Sequence, residues 1–329
     1  MPLIAHSESP VFSHLLAEGV PVARQTDGLH QFNIGLLNLM PEAALEATER
    51  QWMRLSAMVP DRAIFVYPFT FTEAGRSATT QSHIDRYYDS TPAIEQRRLD
   101  LLIVTGANPE AEDLSSERFW RPLIATIARA RALGCPVVCS CLAAHAVLKE
   151  YYGIERVRLP EKCWGVFPHR LIAAQHPLVE GIASDWHAPH SHFYGVAREP
   201  LEAAGIDVLV DSAEAGVYLA ASRDFPGFVF LQGHPEYDAN TLLKEFKREV
   251  GRFLLDELPA MPRAPVNYFP PAAEATLAAY QRALAEPTSA DSAVPDFPED
   301  TLQATVQNRW RACGRQLFQN LIRAVPHGD

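Results

Sequence analysis

The feature that most constrains this chain is an alternation. Apolar, strand-like runs are each followed by a stretch with helical spacing. Phe32 to Leu39 reads as a buried strand, and Glu42 to Met58 as a helix with Trp52, Leu55 and Val59 in phase. Ala63 to Tyr67 is a second strand. Leu101 to Thr105 is a third, ending in Gly106-Ala107-Asn108-Pro109-Glu110. A helix over Glu117 to Leu133 follows, and then the run into Cys141. Parallel strands require crossover connections, so the alternation predicts an α/β fold with a mostly parallel sheet and helices on both faces. The stretch from Val166 to Ser222 reads differently. Its short strand candidates, Asp207 to Asp211 and Gly216 to Ala220, suggest an antiparallel section. In such sheets ligands bind at the carboxyl ends of the strands. The Gly106 turn, Cys141 and the turn carrying His234 all fall at such ends.

The sharpest chemistry lies in Pro136 to Ala146, where a β-branched run ends at Cys141 and a helix-forming segment follows at once. That is the pattern of a nucleophile elbow. The turn would set Cys141 at a helix N-terminus, where the dipole and free N–H groups stabilise a thiolate. The N–H of Leu142 would donate to an oxyanion. A buried structural cysteine is the alternative for this segment alone. A second segment, Gly227 to Asp238, runs from an apolar strand into Gly233-His234-Pro235-Glu236. Histidine is the natural base for a thiol, and a carboxylate two residues on can orient the imidazole. Together the segments predict a triad of Cys141 as nucleophile, His234 as base and Glu236 as orienter. In the following helix, Leu242, Phe246, Val250 and Phe253 form an apolar stripe. Asp238 is expected to cap its start. Arg248 lies off the stripe, either facing the site or solvated.

The chain has 329 residues, 47% of them apolar, which is enough for one large domain with a sizeable core. A net charge of −11 argues against nucleic-acid or anionic-membrane partners. No run is long enough to span a bilayer. The first residues lack a basic segment followed by an apolar one, so a cytoplasmic location is expected. Five cysteines, an odd number, fit a reducing compartment. No Cys/His cluster has zinc spacing and no Gly-rich phosphate loop is present, so neither a metal nor a cofactor is expected. Pro259 to Pro271 is proline-rich and expected to hug the surface. Residues 286–299 read as a flexible loop, and Thr301 to Ala324 as a closing helix. No linker is evident. The reading is therefore a single domain over 1–329, with 259–329 as a surface-hugging C-terminal extension.

These residues resemble the homoserine O-succinyl/O-acetyltransferases of methionine biosynthesis, which have a class I glutamine amidotransferase-like (flavodoxin-like) fold. The resemblance spans almost the whole chain. It rests on Asn38 to Pro41, Thr105 to Ala107, Tyr152 to Ile154, Glu161-Lys162, Gly165 to Phe167, Ala188 to Ser191 and Gly233 to Asp238, with Asn267 to Pro270, Trp310-Arg311 and Leu317-Phe318 near the C-terminus. It implies that Cys141 takes an acyl group from acyl-CoA as a thioester and passes it to the hydroxyl of an amino acid, in ping-pong fashion. It further implies Ala107 as an oxyanion donor beside Leu142, Arg248 for the acceptor carboxylate, and Lys162, Ser191 and His192 at substrate positions. Acyl-CoA enters as a co-substrate, and a homodimer is implied.

The departures are informative. Leu142 and His145 stand where the family usually has Trp and Gln. Glu42 to Glu46 replaces a lysine-bearing segment, with two extra residues. His192-Phe193 replaces Arg-Tyr. Two cations of the family are thus absent, with His145 and His192 as candidate replacements. Acyl choice is expected to depend on Glu110. Family members that use succinyl-CoA tend to have Gly there and acetyl-CoA users Glu, and a carboxylate would repel the distal succinyl carboxylate, so acetyl-CoA is the favoured donor. L-Homoserine is the leading acceptor. O-acylation of L-serine for cysteine synthesis is the alternative, and a cysteine hydrolase or amidotransferase a more distant one.

Overall fold

In the computed structural model, residues 2–57, 59, 61–71, 76–184, 186–285 and 295–326 are described. The N-terminal half alternates as its pattern predicts: β1 (Leu3–Ile4), α1 (Pro10–Ala17), β2 (Val22–Ala23), β3 (His30–Leu37), α2 (Glu42–Ser56), β4 (Arg62–Phe69), α3 (Ala78–Tyr87), α4 (Ile94–Arg97), β5 (Leu101–Val104), α5 (Trp120–Ala132), β6 (Val137–Ser140) and α6 (Leu142–Tyr152). Met58, the expected end of the second helix, lies outside the described residues. There follow β7 (Val157–Leu171), β8 (Trp186–Gly195), α7 (Arg198–Ala203), β9 (Ile206–Ser212), β10 (Gly216–Ser222), β11 (Phe228–Leu231), α8 (Thr241–Leu254), α9 (Pro271–Ala285), α10 (Glu299–Gln303) and α11 (Arg311–Ala324).

The strands form one sheet in the order β2-β1-β4-β3-β5-β6-β11-β10-β9-β7-β8. From β2 to β11 all pairings are parallel; from β11 to β8 they are antiparallel. β6 lies between β5 and β11, with Val104 beside Cys139 and Leu231 beside Ser140. The three strands therefore end at nearly the same level. The Gly106 loop, Cys141 and the His234 turn emerge side by side.

Successive residues of the central strands enter different core layers. Phe32, Ile34, Leu36, Ile103 and Val138 pack under α1, α2 and α11. Leu37, Leu102, Val104, Val137 and Cys139 pack under α5 and α6. Both faces are covered, which is why these strands read as continuous apolar runs.

The C-terminal region departs from expectation. It does not merely hug the surface. α11 inserts Leu317, Phe318, Leu321 and Ile322 into the first core layer. Tyr268, Leu277, Tyr280, Leu302 and Trp310 build a third cluster with Trp164, Val166 and Phe246. Val266 exchanges backbone bonds of 2.9 Å with Trp164 and Val166. A Cβ on Gly165 would sit 2.2 Å from the Val266 carbonyl oxygen, so only glycine permits this approach. The expected closing helix is split into α10 and α11. Asn308 Oδ1 accepts from the N–H groups of Trp310 and Arg311 and starts α11 afresh. Of the expected loop at 286–299, residues 286–294 lie outside the described residues. Phe297 within it packs on Phe246 and Tyr280. Asp238 does not cap α8, which begins at Thr241 after Asn240. Its carboxylate instead pairs with Arg54 and Arg50. Among the described residues, no helix is long and apolar enough to cross a membrane.

Candidate active site

Cys141 sits at φ 50°, ψ −106°, between the last residue of β6 and the first of α6. A side chain is rarely tolerated there, so the strain must be held by surrounding structure. The Cys141 N–H donates to the Leu231 carbonyl at 2.6 Å and locks the turn to β11. The first N–H groups of α6, beginning with Leu142, have no acceptor within their helix and face the cysteine end. A Cβ built on Gly106 would lie 3.6 Å from Cys141 Cβ, so the loop carrying Ala107 runs directly against the nucleophile position.

His234 is buried, and its N–H donates to the Pro189 carbonyl at 3.0 Å. Its Nδ1 lies 2.8 Å from Glu236 Oε1. The ring stacks on Tyr237 at 4.2 Å and interacts with the Cys141 side chain. Gln232 Nε2 is 3.8 Å from the sulfur. Burial pulls the His234 pKa down, but the Glu236 carboxylate and Cys141 outweigh it and raise it to about 10. The three expected residues are thus assembled, with the imidazole oriented by the carboxylate. Cys139 points into the opposite core layer, where burial pushes its thiol pKa up.

A second group centres on Glu245 of α8. Its Oε2 accepts from Ser191 Oγ at 2.6 Å and Trp164 Nε1 at 2.9 Å, and its Oε1 from the Tyr237 hydroxyl at 3.0 Å. Lys162 Nζ lies 3.6 Å from Oε2 and 4.2 Å above the Trp164 ring, and burial pushes its pKa down. Glu245 therefore ties Lys162 and Ser191 to the tyrosine stacked on His234. The sequence does hold a signal for it: a carboxylate beside Phe246 in an apolar stripe must find donors. Arg248 is one turn further along α8, half exposed, with its guanidinium on neighbouring Glu249. It stands at the rim, within electrostatic reach of Lys162, and not against Cys141.

His192 lies within β8 and is buried. It belongs to a line of rings: His169 Nε2 to His190 Nε2 at 3.0 Å, and His190 Nδ1 to His192 Nε2 at 2.9 Å. Burial holds the pKa of His145 and His169 down at about 4 and that of His192 at about 3. These rings are neutral near pH 7, so His145 and His192 do not replace the absent cations. Cys163, His190 and His192 bring ligand-type atoms within 4.8 Å of one another. Sequence spacing hides this because the β7–β8 register, with Cys163 opposite His192, creates it. Both nitrogens of His190 and Nε2 of His192 are bonded within the line, His192 Nδ1 is buried with no partner among the described residues, and burial pushes the Cys163 thiol up to about 12.

A cation does reach the site, from a residue the sequence does not single out. Arg156 Nη2 donates to the carbonyls of Ala111 and Glu112 at 2.9 and 2.8 Å, and its guanidinium lies 3.8 Å over the Tyr194 ring. Its Nε is buried with no hydrogen-bond partner among the described residues. Burial lowers its pKa, with Tyr194, Glu117, Asp113 and Cys141 opposing, so its charge is felt at the nucleophile. Arg156 thereby ties down the loop that carries Glu110. Glu110 itself is exposed and pairs with no described residue.

A family model described as homoserine O-succinyltransferase matches residues 2–326. The chain is similar to proteins named homoserine O-succinyltransferase from Allochromatium vinosum (43% identical, covering 100% of this chain and 94% of that protein) and Nitrosococcus oceani (42%, with the same coverage). Among solved structures it is similar to a glutamine amidotransferase from Methylobacillus flagellatus, at a TM-score of 0.50, 14% identity, and coverage of 92% of this chain and 98% of that one. A glutamine amidotransferase from Thermotoga maritima matches at 0.50 and 11% identity, covering 91% and 100%. At such identity these two speak for the fold alone. It is the class I glutamine amidotransferase-like fold.

Proposed function

Because the chain belongs to the homoserine O-succinyltransferase family and is a homoserine O-acyltransferase, we propose that Cys141, His234 and Glu236 carry the transfer in two steps. The observation that carries this reading is the strained elbow at Cys141 beside an imidazole held by a carboxylate at 2.8 Å. His234, held by Glu236 at 2.8 Å, is placed to take the Cys141 thiol proton, which leaves imidazolium beside thiolate as the acyl donor arrives. The thiolate attacks the thioester carbonyl of acyl-CoA. The oxyanion is met by the N–H groups of Leu142 and Ala107. The C–S bond to CoA breaks, and His234 returns its proton to the departing CoA thiolate. Neutral His234 then takes the proton of the homoserine hydroxyl as that oxygen attacks the Cys141 thioester. The cysteine leaves as thiolate, and the imidazolium–thiolate pair is restored. Glu236 stabilises the imidazolium in both halves.

His234→Gln is expected to lower kcat by on the order of 10³-fold, and Glu236→Gln by about 10²-fold, since general acid–base catalysis contributes about 10² to 10⁴. Glutamine is the better replacement than alanine, because both sites are buried. Thermal melts check folding. Equal losses that track unfolding would make both residues structural.

For the donor, the names of the relatives support succinyl-CoA, and Arg156, the cation that interacts electrostatically with Cys141, is the candidate partner for a distal carboxylate. The competing acetyl-CoA reading rests on Glu110. The two are separated by kcat/KM for succinyl-CoA and acetyl-CoA with homoserine, serine and threonine as acceptors. We expect succinyl-CoA and homoserine to win. Arg156→Leu should then cut the succinyl-to-acetyl ratio by about 10- to 100-fold, the worth of a charged hydrogen bond. A wild-type preference for acetyl-CoA that Glu110→Gly reverses would establish the other donor. A preference for serine would establish the other acceptor.

A further inference from the structure

Behind the catalytic turn, away from Cys141, lies a cavity of about 930 Å³. Its charge is unbalanced. Arg50, Arg54, Lys244, Arg311 and Arg315 line it, against only Glu18 and Asp238. Those two carboxylates are shared: Arg50 and Arg54 each reach both, and Arg311 lies 3.9 Å from Asp238. Arg50 Nε is nevertheless buried with no hydrogen-bond partner among the described residues. Lys244 and Arg315 are exposed and meet no carboxylate among the described residues. Two 14-residue helices, α8 and α11, begin at this cavity and add the positive ends of their dipoles. The lining also includes apolar residues, among them Val20, Val59 and Val306. Five cations against two carboxylates, beside two helix N-termini, suit a ligand with a run of phosphates, and the apolar lining residues would meet its base. They do not suit a small carboxylate.

The cavity also touches the catalytic turn. Asp238 continues that turn, and a Cβ on Gly314 of α11 would lie 3.1 Å from both the Cβ and the carbonyl oxygen of Pro235, between His234 and Glu236. We propose that this cavity is a binding site for an adenosine polyphosphate, either the nucleotide end of the acyl-CoA or a separate nucleotide acting on the His234–Glu236 turn.

The test is calorimetric titration of the wild-type protein with ADP, ATP and CoA, repeated with Lys244→Glu/Arg315→Glu. Both substitutions are on exposed positions, so the melting temperature should hold. Arg323→Glu, an exposed position at the far end of α11, controls for net charge. ADP and ATP should bind the wild type and the control alike, and the double variant at least tenfold more weakly. If CoA displaces ADP and the double variant raises KM for acyl-CoA, the occupant is the donor's own nucleotide. If CoA and ADP bind together and ADP changes kcat, it is a separate effector. Absence of ADP and ATP binding at millimolar concentration, or equal binding by the double variant, would overturn the proposal. Binding is read without turnover, so such a failure leaves the acyl-transfer reading standing.

Discussion

Cys141→Ala is expected to lose turnover by at least about 10⁴-fold, and to gain no mass when incubated with acyl-CoA. The wild type should gain one acyl mass without homoserine and lose it when homoserine is added. The alanine variant keeps the Cβ that the elbow holds at φ 50°, so its fold should persist. Cys141→Gly provides an internal check. Both variants lack the thiol, so their stability difference reports the backbone alone. Relief of strain at a positive-φ position outweighs the entropy of glycine, and the glycine variant should be more stable than the alanine variant by about 1 kcal/mol. Cys139→Ala should retain the reaction, since that side chain faces the other core layer. A Cys141→Ala protein with near-normal rate, or an acyl mass on another residue, would sink the mechanism.

The parts of the site visible in the sequence are those whose chemistry and position are encoded locally. Cys141 is legible because a β-branched strand and a small-residue helix flank it at once, and His234 with Glu236 because two residues and a proline set their separation. The alternation behind the sheet is local too, since each strand and its crossover helix are contiguous. What was hidden is created by register or by distant segments. The histidine line joins His169 of β7 to His190 of β8 at 3.0 Å, although the strands pair them with Trp186 and Gly165, so only the folded side chains bring them together. Arg156 looks like an ordinary arginine after a helix, until the carbonyls of Ala111 and Glu112 meet it from 45 and 44 positions away. The charge of His145 and His192 was unreadable for the same reason. A histidine's pKa depends on what buries it, and the sequence does not show that.

The break between α10 and α11 shows why a helical pattern alone can mislead. Asn308 is polar enough to sit within a helix on sequence grounds, but here its side chain serves as a cap. Its Nδ2 and the Trp310 indole both donate to the Tyr237 carbonyl, at 3.0 and 2.8 Å. The C-terminal segment therefore braces the turn that carries His234 and Glu236. A region that reads as peripheral is part of what holds the base in place.

The same histidines should dominate the response to acid. His145 and His169 have folded pKa values of about 4 and His192 about 3, all below the usual 6.5, because burial disfavours the imidazolium. The unfolded chain therefore binds more protons than the folded one across the window from about 6.5 down to 4. Stability is fully present above that window and is lost as pH falls through it. Each ring contributes at most about 1.4 kcal/mol per pH unit, so three together give a ceiling of about 4 kcal/mol per unit. Against a typical net stability of 5–15 kcal/mol, that is enough to unfold the protein near pH 4–5. His234 has the opposite sign. Its folded pKa of about 10 gives stability that is present below 6.5 and fades as pH rises toward 10. Urea melts at pH 7.0, 6.0 and 5.0 keep most carboxylates ionised and isolate the rings. Their slope should be steep, and His192→Gln should lower it by about one proton's worth. A flat profile over that range, or a His192→Gln slope equal to the wild type, would show that these rings are not neutral in the folded enzyme.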